Sequence, residues 1–264
     1  MTLKNRLFNW LPPQNKTLYQ FCRRYLDRYD GVNNSDMATN GEQRVLQTVL
    51  PRCTLVFDVG ANVGDWTKSA LSFNSQLIVH AFEPHAATFA TLASQPFPAQ
   101  VVRQPFGFGA VEEEKVLHVM PGHTGMNSLY TRTGLPVQPH SADTIPITIQ
   151  LKTIDGYCHT HDIEMIDFLK IDVEGHELAV LSGAQTMLQN GRLRLIQFEY
   201  GGTSLDARVF LKDFFELLQP MNYQLYKIFP DHLQHVPAYL HSLETFQYQN
   251  WLAVHTTQGS DYLE

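Results

Sequence analysis

Val56-Phe57-Asp58-Val59-Gly60-Ala61-Asn62-Val63-Gly64-Asp65-Trp66-Thr67 runs from an apolar stretch through two glycines into the start of a helical pattern. Thr54 to Asp58 reads as a short buried strand, a turn of small residues follows, and a helical pattern restarts from about Trp66 to Phe73. A strand, a Gly-rich turn and a helix form a nucleotide-binding corner, because small residues let the backbone approach a ligand closely. The dinucleotide fingerprint G-x-G-x-x-G is not met, since Asn62 and Asp65 stand where glycines are required. A phosphate-cradling Gly-Lys-Ser/Thr is also absent.

What remains is Asp-x-Gly-x-Asn-x-Gly, at Asp58, Gly60, Asn62 and Gly64. This is similar to the first motif of class I S-adenosylmethionine (SAM) methyltransferases, with Asn at the middle glycine. An acid at the strand end suits a cofactor with an ammonium and a sulfonium and would repel a pyrophosphate. The bland alternative is a tight βα turn with no ligand. Downstream, Gln76 to Phe82 reads as a second strand ending in Glu83-Pro84, followed by a helix over about His85 to Ala93. An acid there is placed to accept hydrogen bonds from two ribose hydroxyls. It could instead merely serve the helix start. Gln104, closing a third strand from Gln100, is a candidate for the adenine edge.

Two helices precede this unit. Leu18, Phe21, Cys22, Tyr25 and Tyr29 make one apolar helical face over 17–29, with the basic side turned to solvent, and Tyr19, Tyr25 and Tyr29 read as packing residues. The second helix starts at Asn40, with Gln43 as capping partner, and ends at Pro51. Glu42 is a candidate cofactor contact if this prelude folds over the sheet edge as a lid, or a dipole-favoured helix-start acid.

Residues 111–151 break the α/β alternation: Val116–Met120 and Ile145–Leu151 read as strands, joined by Pro-Gly and Thr-Gly turns. This predicts a β insertion with a mobile loop over the site, and Pro146 favours an edge strand. Phe168–Ile171 reads as a buried central strand with Asp172 at its end, followed by one helix from Glu177 to Gln189. Leu193–Phe198 is the next strand, ending in Glu199, and a helix over about Ala207 to Leu218 follows. Tyr223–Phe229 and Asn250–His255 read as a closing pair separated by a loop. Cys158-His159-Thr160-His161-Asp162 lacks a second cluster at zinc-like spacing and reads as a polar surface loop.

Phe57–Gly64, Phe82-Glu83-Pro84 and Leu169-Lys170-Ile171-Asp172-Val173-Glu174-Gly175-His176-Glu177 with Val180–Ala184 together resemble the FkbM family of SAM-dependent methyltransferases. Asn40-Gly41-Glu42 and Asn250-Trp251-Leu252-Ala253 add to the likeness, which runs from about residue 40 to 255. The resemblance implies an α/β, Rossmann-like class I methyltransferase sheet; the residue patterns add an N-terminal helical cap (1–40), outside the likeness, ahead of a methyltransferase domain (41–264) with the 111–151 β insertion. It also implies methyl transfer from SAM, usually to a hydroxyl of a sugar, polyketide or other small natural product. N-methylation of a peptide or amine, or a non-catalytic SAM-fold binding protein, are the competing readings.

Methyl transfer needs an acceptor oxygen held behind the methyl carbon and a group to take its proton. Asp172 and His176 are the candidate bases, with Glu174 and Glu199 beside them. At a helix start the dipole would keep His176 neutral. Alternatively, Asp172 and Glu199 could hold a Mg²⁺ that orients a diol.

Composition bounds the partners. The net charge of −7 argues against nucleic-acid binding. It is uneven: the first 30 residues hold six cations against two anions, a net of +4, which leaves −11 for the remainder. Peripheral membrane contact is not expected on the reading of a packed cap helix. No apolar run of spanning length occurs, and three widely spaced cysteines suggest a reduced, cytoplasmic protein.

Overall fold

A computed structural model of the chain describes residues 12, 14–132 and 144–263. The quoted stretch forms β1 (Leu55–Val59), a left-handed turn and α3 (Asp65–Phe73). Ahead of them lie α1 (Lys16–Asp30) and α2 (Glu42–Val49). The alternation continues through β2 (Ile78–Phe82), α4 (Ala86–Ser94) and β3 (Val101–Gln104). After the insertion come α5 (Ile154–Thr160), β7 (Ile166–Ile171), α6 (Glu177–Ser182), α7 (Gln185–Gln189) and β8 (Leu193–Tyr200). The chain closes with α8 (Gly202–Ala207), α9 (Leu211–Leu218), β9 (Tyr223–Ile228), β10 (Leu233–Val236) and β11 (Gln249–His255).

The main sheet has eight strands in the order β10-β9-β11-β8-β7-β1-β2-β3. β3, β2, β1, β7 and β8 are parallel, and β11 enters antiparallel between β8 and β9. Strand order reverses between β1 and β7, and the crevice beyond their carboxyl ends is where open α/β sheets bind ligands. Burial on both faces explains why these strands are nearly continuous apolar runs. Val45, Leu46 and Val49 of α2 and Trp66 and Ala70 of α3 cover one face. Leu211, Phe214, Phe215 and Leu218 of α9 cover the other with Val180 and Leu181.

The insertion is a separate three-stranded sheet, ordered β4-β6-β5, of β4 (Gly107–Phe108), β5 (Glu113–Val119) and β6 (Ile145–Lys152). β6 is therefore central rather than an edge strand. Pro146 is tolerated because β4 pairs only with Leu151 and Lys152, so the chain at Pro146 faces β5 alone. Residues 133–143, on which much of the expected mobile loop falls, lie outside the described residues.

Other expectations change for local reasons. The single helix expected from Glu177 to Gln189 is two. Gly183 packs against the Gly109 carbonyl so closely that a Cβ would sit 2.1 Å from that oxygen. Asp155 then caps the second helix through Thr186 N–H (2.7 Å) and Met187 N–H (3.0 Å). The helix expected from Ala207 begins at Leu211, because Arg208 turns left-handed (φ +59°) and ends α8. The expected loop after β9 holds a further strand, β10. Cys158 is not in a surface loop: it is buried in α5 with Ile154 and Tyr157, one face at helical spacing. The largest departure is α1. It forms as expected, yet no residue on it is buried, and Tyr19, Phe21, Tyr25 and Tyr29 are exposed rather than packed.

Candidate active site

The turn after β1 is built on left-handed residues, Gly60 (φ +79°), Asn62 (φ +47°) and Gly64 (φ +95°). A Cβ on Gly60 would lie 1.8 Å from the Asp172 carbonyl oxygen, so only glycine lets β1 and β7 end side by side here. Four N–H groups of this turn are engaged within the protein. Gly60 and Ala61 donate to the Phe82 carbonyl (3.1 and 2.9 Å), Asn62 to Glu83 Oε2 (3.0 Å) and Gly64 to the Ala61 carbonyl (2.8 Å). Phosphate-binding loops instead point free N–H groups at the ligand. This turn gives shape without that anion cradle, which fits a cofactor lacking phosphate.

Asp58 is fully buried beneath the turn rather than facing the crevice. Its carboxylate accepts from Thr67 Oγ1 (2.7 Å) and Lys170 Nζ (3.0 Å). Lys170 also donates to the Gly60 carbonyl (3.0 Å) and lies 3.7 Å from Asp172 Oδ2. Burial lowers the ammonium's pKa, and Asp58 with Asp172 more than offsets this, so the value stands above that of a free lysine. Lys170 thus ties β1, the turn and β7 together. Its role was not read from the sequence, although a charge inside an apolar strand is the signal for one, since a buried charge must be paired.

Glu83 stands at the end of β2. Its Oε1 accepts from His85 N–H (2.9 Å) and its Oε2 from Asn62 N–H. Each carboxylate oxygen keeps a lone pair for a hydroxyl donor. Burial pushes this carboxyl up to about 7, against the opposing effect of the two backbone bonds. Gly60, Glu83, Pro84, Asp172, Glu174 and His176 line one crevice, a volume of about 600 Å³ including its open mouth. Leu117, Leu129, Ile149 and Leu151 of the insertion form its apolar wall.

Asp172 is the accessible acid, its side chain 45% exposed with Lys170 behind it. The other acids are occupied or buried. Glu174 sits at φ +56° and pairs with Arg132 (3.1 Å), and its carboxyl is raised to about 8 by burial and Asp172, against Arg132. Glu177 accepts from Val173 and Gly175 N–H (both 3.1 Å) and so staples the turn between β7 and α6. Glu199 is raised well above the usual range by burial and by Asp172 and Glu174. Burial, more than a helix dipole, lowers the His176 imidazole to about 4, and α6 is only six residues long. Its Nδ1 is 2.8 Å from Tyr130 Oη, and its buried Nε2 has no hydrogen-bond partner among the described residues.

Besides Asp58, Asn62 and Gly64, three expected residues lie outside the crevice lining. Glu42 is buried and accepts from Asn40 Nδ2 (2.7 Å), Gln197 Nε2 (2.7 Å) and Asn250 Nδ2 (2.9 Å), joining α2 to β8 and β11. Gln104 turns its amide to Tyr157 Oη (3.4 Å). Glu199 is the third. Among the described residues, no three His, Cys, Asp or Glu side chains are grouped to hold a metal ion.

The insertion supplies residues that sequence alone did not suggest. Thr124 Oγ1 donates to Asn62 Oδ1 (3.2 Å) and Ser128 Oγ to the Glu174 carbonyl (2.7 Å), beside the Tyr130 and Arg132 contacts. One short segment thus touches both the β1 turn and the β7 turn.

An open sheet with this strand order, an antiparallel strand beside its last parallel pair and a Gly-rich turn at the switch point defines a class I, Rossmann-like methyltransferase fold. The chain belongs to the FkbM methyltransferases: the family's methyltransferase domain matches residues 58–228. It is 26% identical over 178 residues to the hexuronic acid methyltransferase AglP of Haloferax volcanii, covering 66% of this chain and 69% of that one. It is 24% identical over 147 residues to Methyltransferase 1 of Beauveria bassiana, covering 50% and 59%. A solved FkbM methyltransferase from Methylobacillus flagellatus aligns at 18% identity and a TM-score of 0.46, covering 76% of this chain and 43% of that one. The chain thus spans less than half of that last protein.

Proposed function

We propose that this chain transfers the methyl group of SAM to a hydroxyl of a small molecule, a sugar or another natural product. One observation carries the reading: the crevice that holds Gly60 and Glu83 also holds the accessible carboxylate of Asp172. Gly60, Asn62 and Gly64 shape the cofactor seat, and Glu83 receives the ribose hydroxyls. Asp58 acts on the seat from below, through Lys170 and the Gly60 carbonyl. When bound, SAM supplies an electrophilic methyl with a thioether as leaving group. Asp172 takes the acceptor's hydroxyl proton as the new C–O bond forms. The apolar wall of the insertion excludes water from this step. Glu174, held by Arg132, presents a polar group beside the acceptor. The hexuronic acid named for the Haloferax relative supports a sugar as acceptor class.

Calorimetry tests the donor, and mass spectrometry of a cell extract incubated with labelled SAM tests the acceptor. Labelled product with an O-methyl group supports the reading, and failure to bind SAM or S-adenosylhomocysteine sinks it. Activity is expected to survive EDTA dialysis, since among the described residues Asp172 and Glu199 belong to no group of three His, Cys, Asp or Glu side chains able to hold a metal ion. Loss of turnover that Mg²⁺ restores would reinstate a metal held by that pair.

Glu83 gives a pH signature. Its ionised form is the acceptor for ribose hydroxyls, and burial places its titration at about 7. SAM affinity is therefore expected to weaken as pH falls through 7. Glu83→Gln should cost roughly 1.5–3 kcal/mol of binding, the range for a hydrogen bond to a charged group, and flatten that pH dependence. Titrations on both sides of neutrality check this, and an unchanged slope in the variant would remove Glu83 from the ribose site.

A further inference from the structure

α1 is a well-made helix, and none of its residues is buried. Asn15 caps its start, accepting Leu18 N–H at 2.9 Å, and Gly31 closes its end in the left-handed region. With 3.6 residues per turn, its apolar side chains gather on one side, an arc of roughly 160°. Tyr19, Phe21, Tyr25, Leu26 and Tyr29 on that arc are 61%, 70%, 61%, 53% and 70% exposed. Lys16, Arg23, Arg24 and Arg28 occupy the other side, with Arg28 and Arg23 nearest its edges.

We propose that α1 is an interfacial helix that seats this protein on an anionic lipid bilayer, its aromatic face at the headgroup–acyl boundary and its basic residues on the headgroups. Two observations favour a bilayer over a protein groove. Three of the apolar positions are tyrosines, whose rings are apolar while their hydroxyls need hydrogen-bond partners. The wet edge of a membrane satisfies both needs, whereas a dry protein interface must supply a partner for each hydroxyl. Arg23 Nη1 donates to Tyr19 Oη at 3.2 Å, which draws that cation to the rim of the apolar face.

The second observation is charge. The first 30 residues carry +4 and the rest of the chain −11. An anionic surface attracts the helix and repels the remainder, which fixes the orientation. A second copy would instead bring like-charged helices together. Of the two acids outside the apolar arc, Asp27 already accepts from Asn33 Nδ2 (3.0 Å). The helix's end is tied to the carboxyl edge of the main sheet: Lys227 Nζ donates to the Asp30 carbonyl (3.0 Å) and Asn33 N–H to the Tyr248 carbonyl (2.9 Å). A seated helix therefore brings the edge that carries the crevice toward the membrane.

The test is co-sedimentation of the full chain with phosphatidylcholine vesicles, with and without phosphatidylserine, across a salt series. Binding is expected only with phosphatidylserine and is expected to fade as salt rises. Arg23→Gln/Arg24→Gln/Arg28→Gln should lower partitioning on the order of a hundredfold. Phe21→Gln/Tyr25→Gln/Leu26→Gln should lower it by at least about tenfold on the same vesicles. Both sets are expected to leave SAM binding intact, since no α1 residue lines the crevice. No binding at low salt, binding indifferent to the apolar set, or loss of SAM binding in either set would overturn the proposal. So would a dimer, seen by light scattering, that the apolar set dissolves in a protein that ignores vesicles.

Discussion

Asp172→Asn is expected to lower kcat by roughly two to four orders of magnitude, the usual worth of a positioned general base, with SAM affinity little changed. The substitution keeps the shape of the side chain and removes its capacity to take a proton. Asp172 merits this expectation over its neighbours on geometry. It is the acid of the crevice with an accessible carboxylate, whereas Glu174 is paired with Arg132 and Glu177 is spent on two backbone N–H groups. His176 is the rival. Its Nδ1 is engaged by Tyr130, and its Nε2 lies against Gly109, where an added Cβ would stand 3.1 Å from it. His176→Ala is therefore expected to cost far less than Asp172→Asn. Single-turnover rates on both variants decide the matter: a silent Asp172→Asn beside an inactive His176→Ala would transfer the role to the histidine. Full activity in both would point to an amine acceptor, which needs little help in losing a proton.

Lys170→Met is expected to destabilise the fold by about 3–5 kcal/mol, the cost of leaving a buried charge without its partner. Asp58 would keep only Thr67, with no water to solvate it, because the carboxylate is fully buried. The Gly60 carbonyl would lose its donor at the same time, so SAM affinity should fall as well. Asp58→Asn in the same chain removes the stranded charge, and the double variant should recover much of the loss. Urea midpoints of the two single variants and the double variant give the coupling. A Lys170→Met protein within about 1 kcal/mol of the parent, the size of a surface ion pair, would show that the pair does not hold the turn.

The strand–turn–helix corner was legible in the sequence because its physics is local. A run of apolar residues, two glycines and a restarting helical period define β1, the turn and α3 within a dozen positions, and Glu83 follows in register at the end of β2. The direction of Asp58 was not legible. The same residue at the same strand end can face a ligand or the interior, and the deciding contacts come from Thr67 and Lys170, nine and 112 positions away. Glu42 and Gln104 turned from the crevice for the same reason: their partners, Gln197, Asn250 and Tyr157, lie far along the chain.

The sequence by itself determined the α/β alternation, the glycine turn that only a left-handed backbone can make, and the order of acids along the strand ends. These follow from periodicity and allowed backbone angles, which each segment carries alone. Tertiary structure decided which acids reach the crevice, how the insertion latches across both turns through Thr124, Ser128, Tyr130 and Arg132, and that the aromatic face of α1 is exposed. Burial and pairing are properties of what surrounds a side chain, and the helical spacing that marks an apolar face does not say whether anything packs against it.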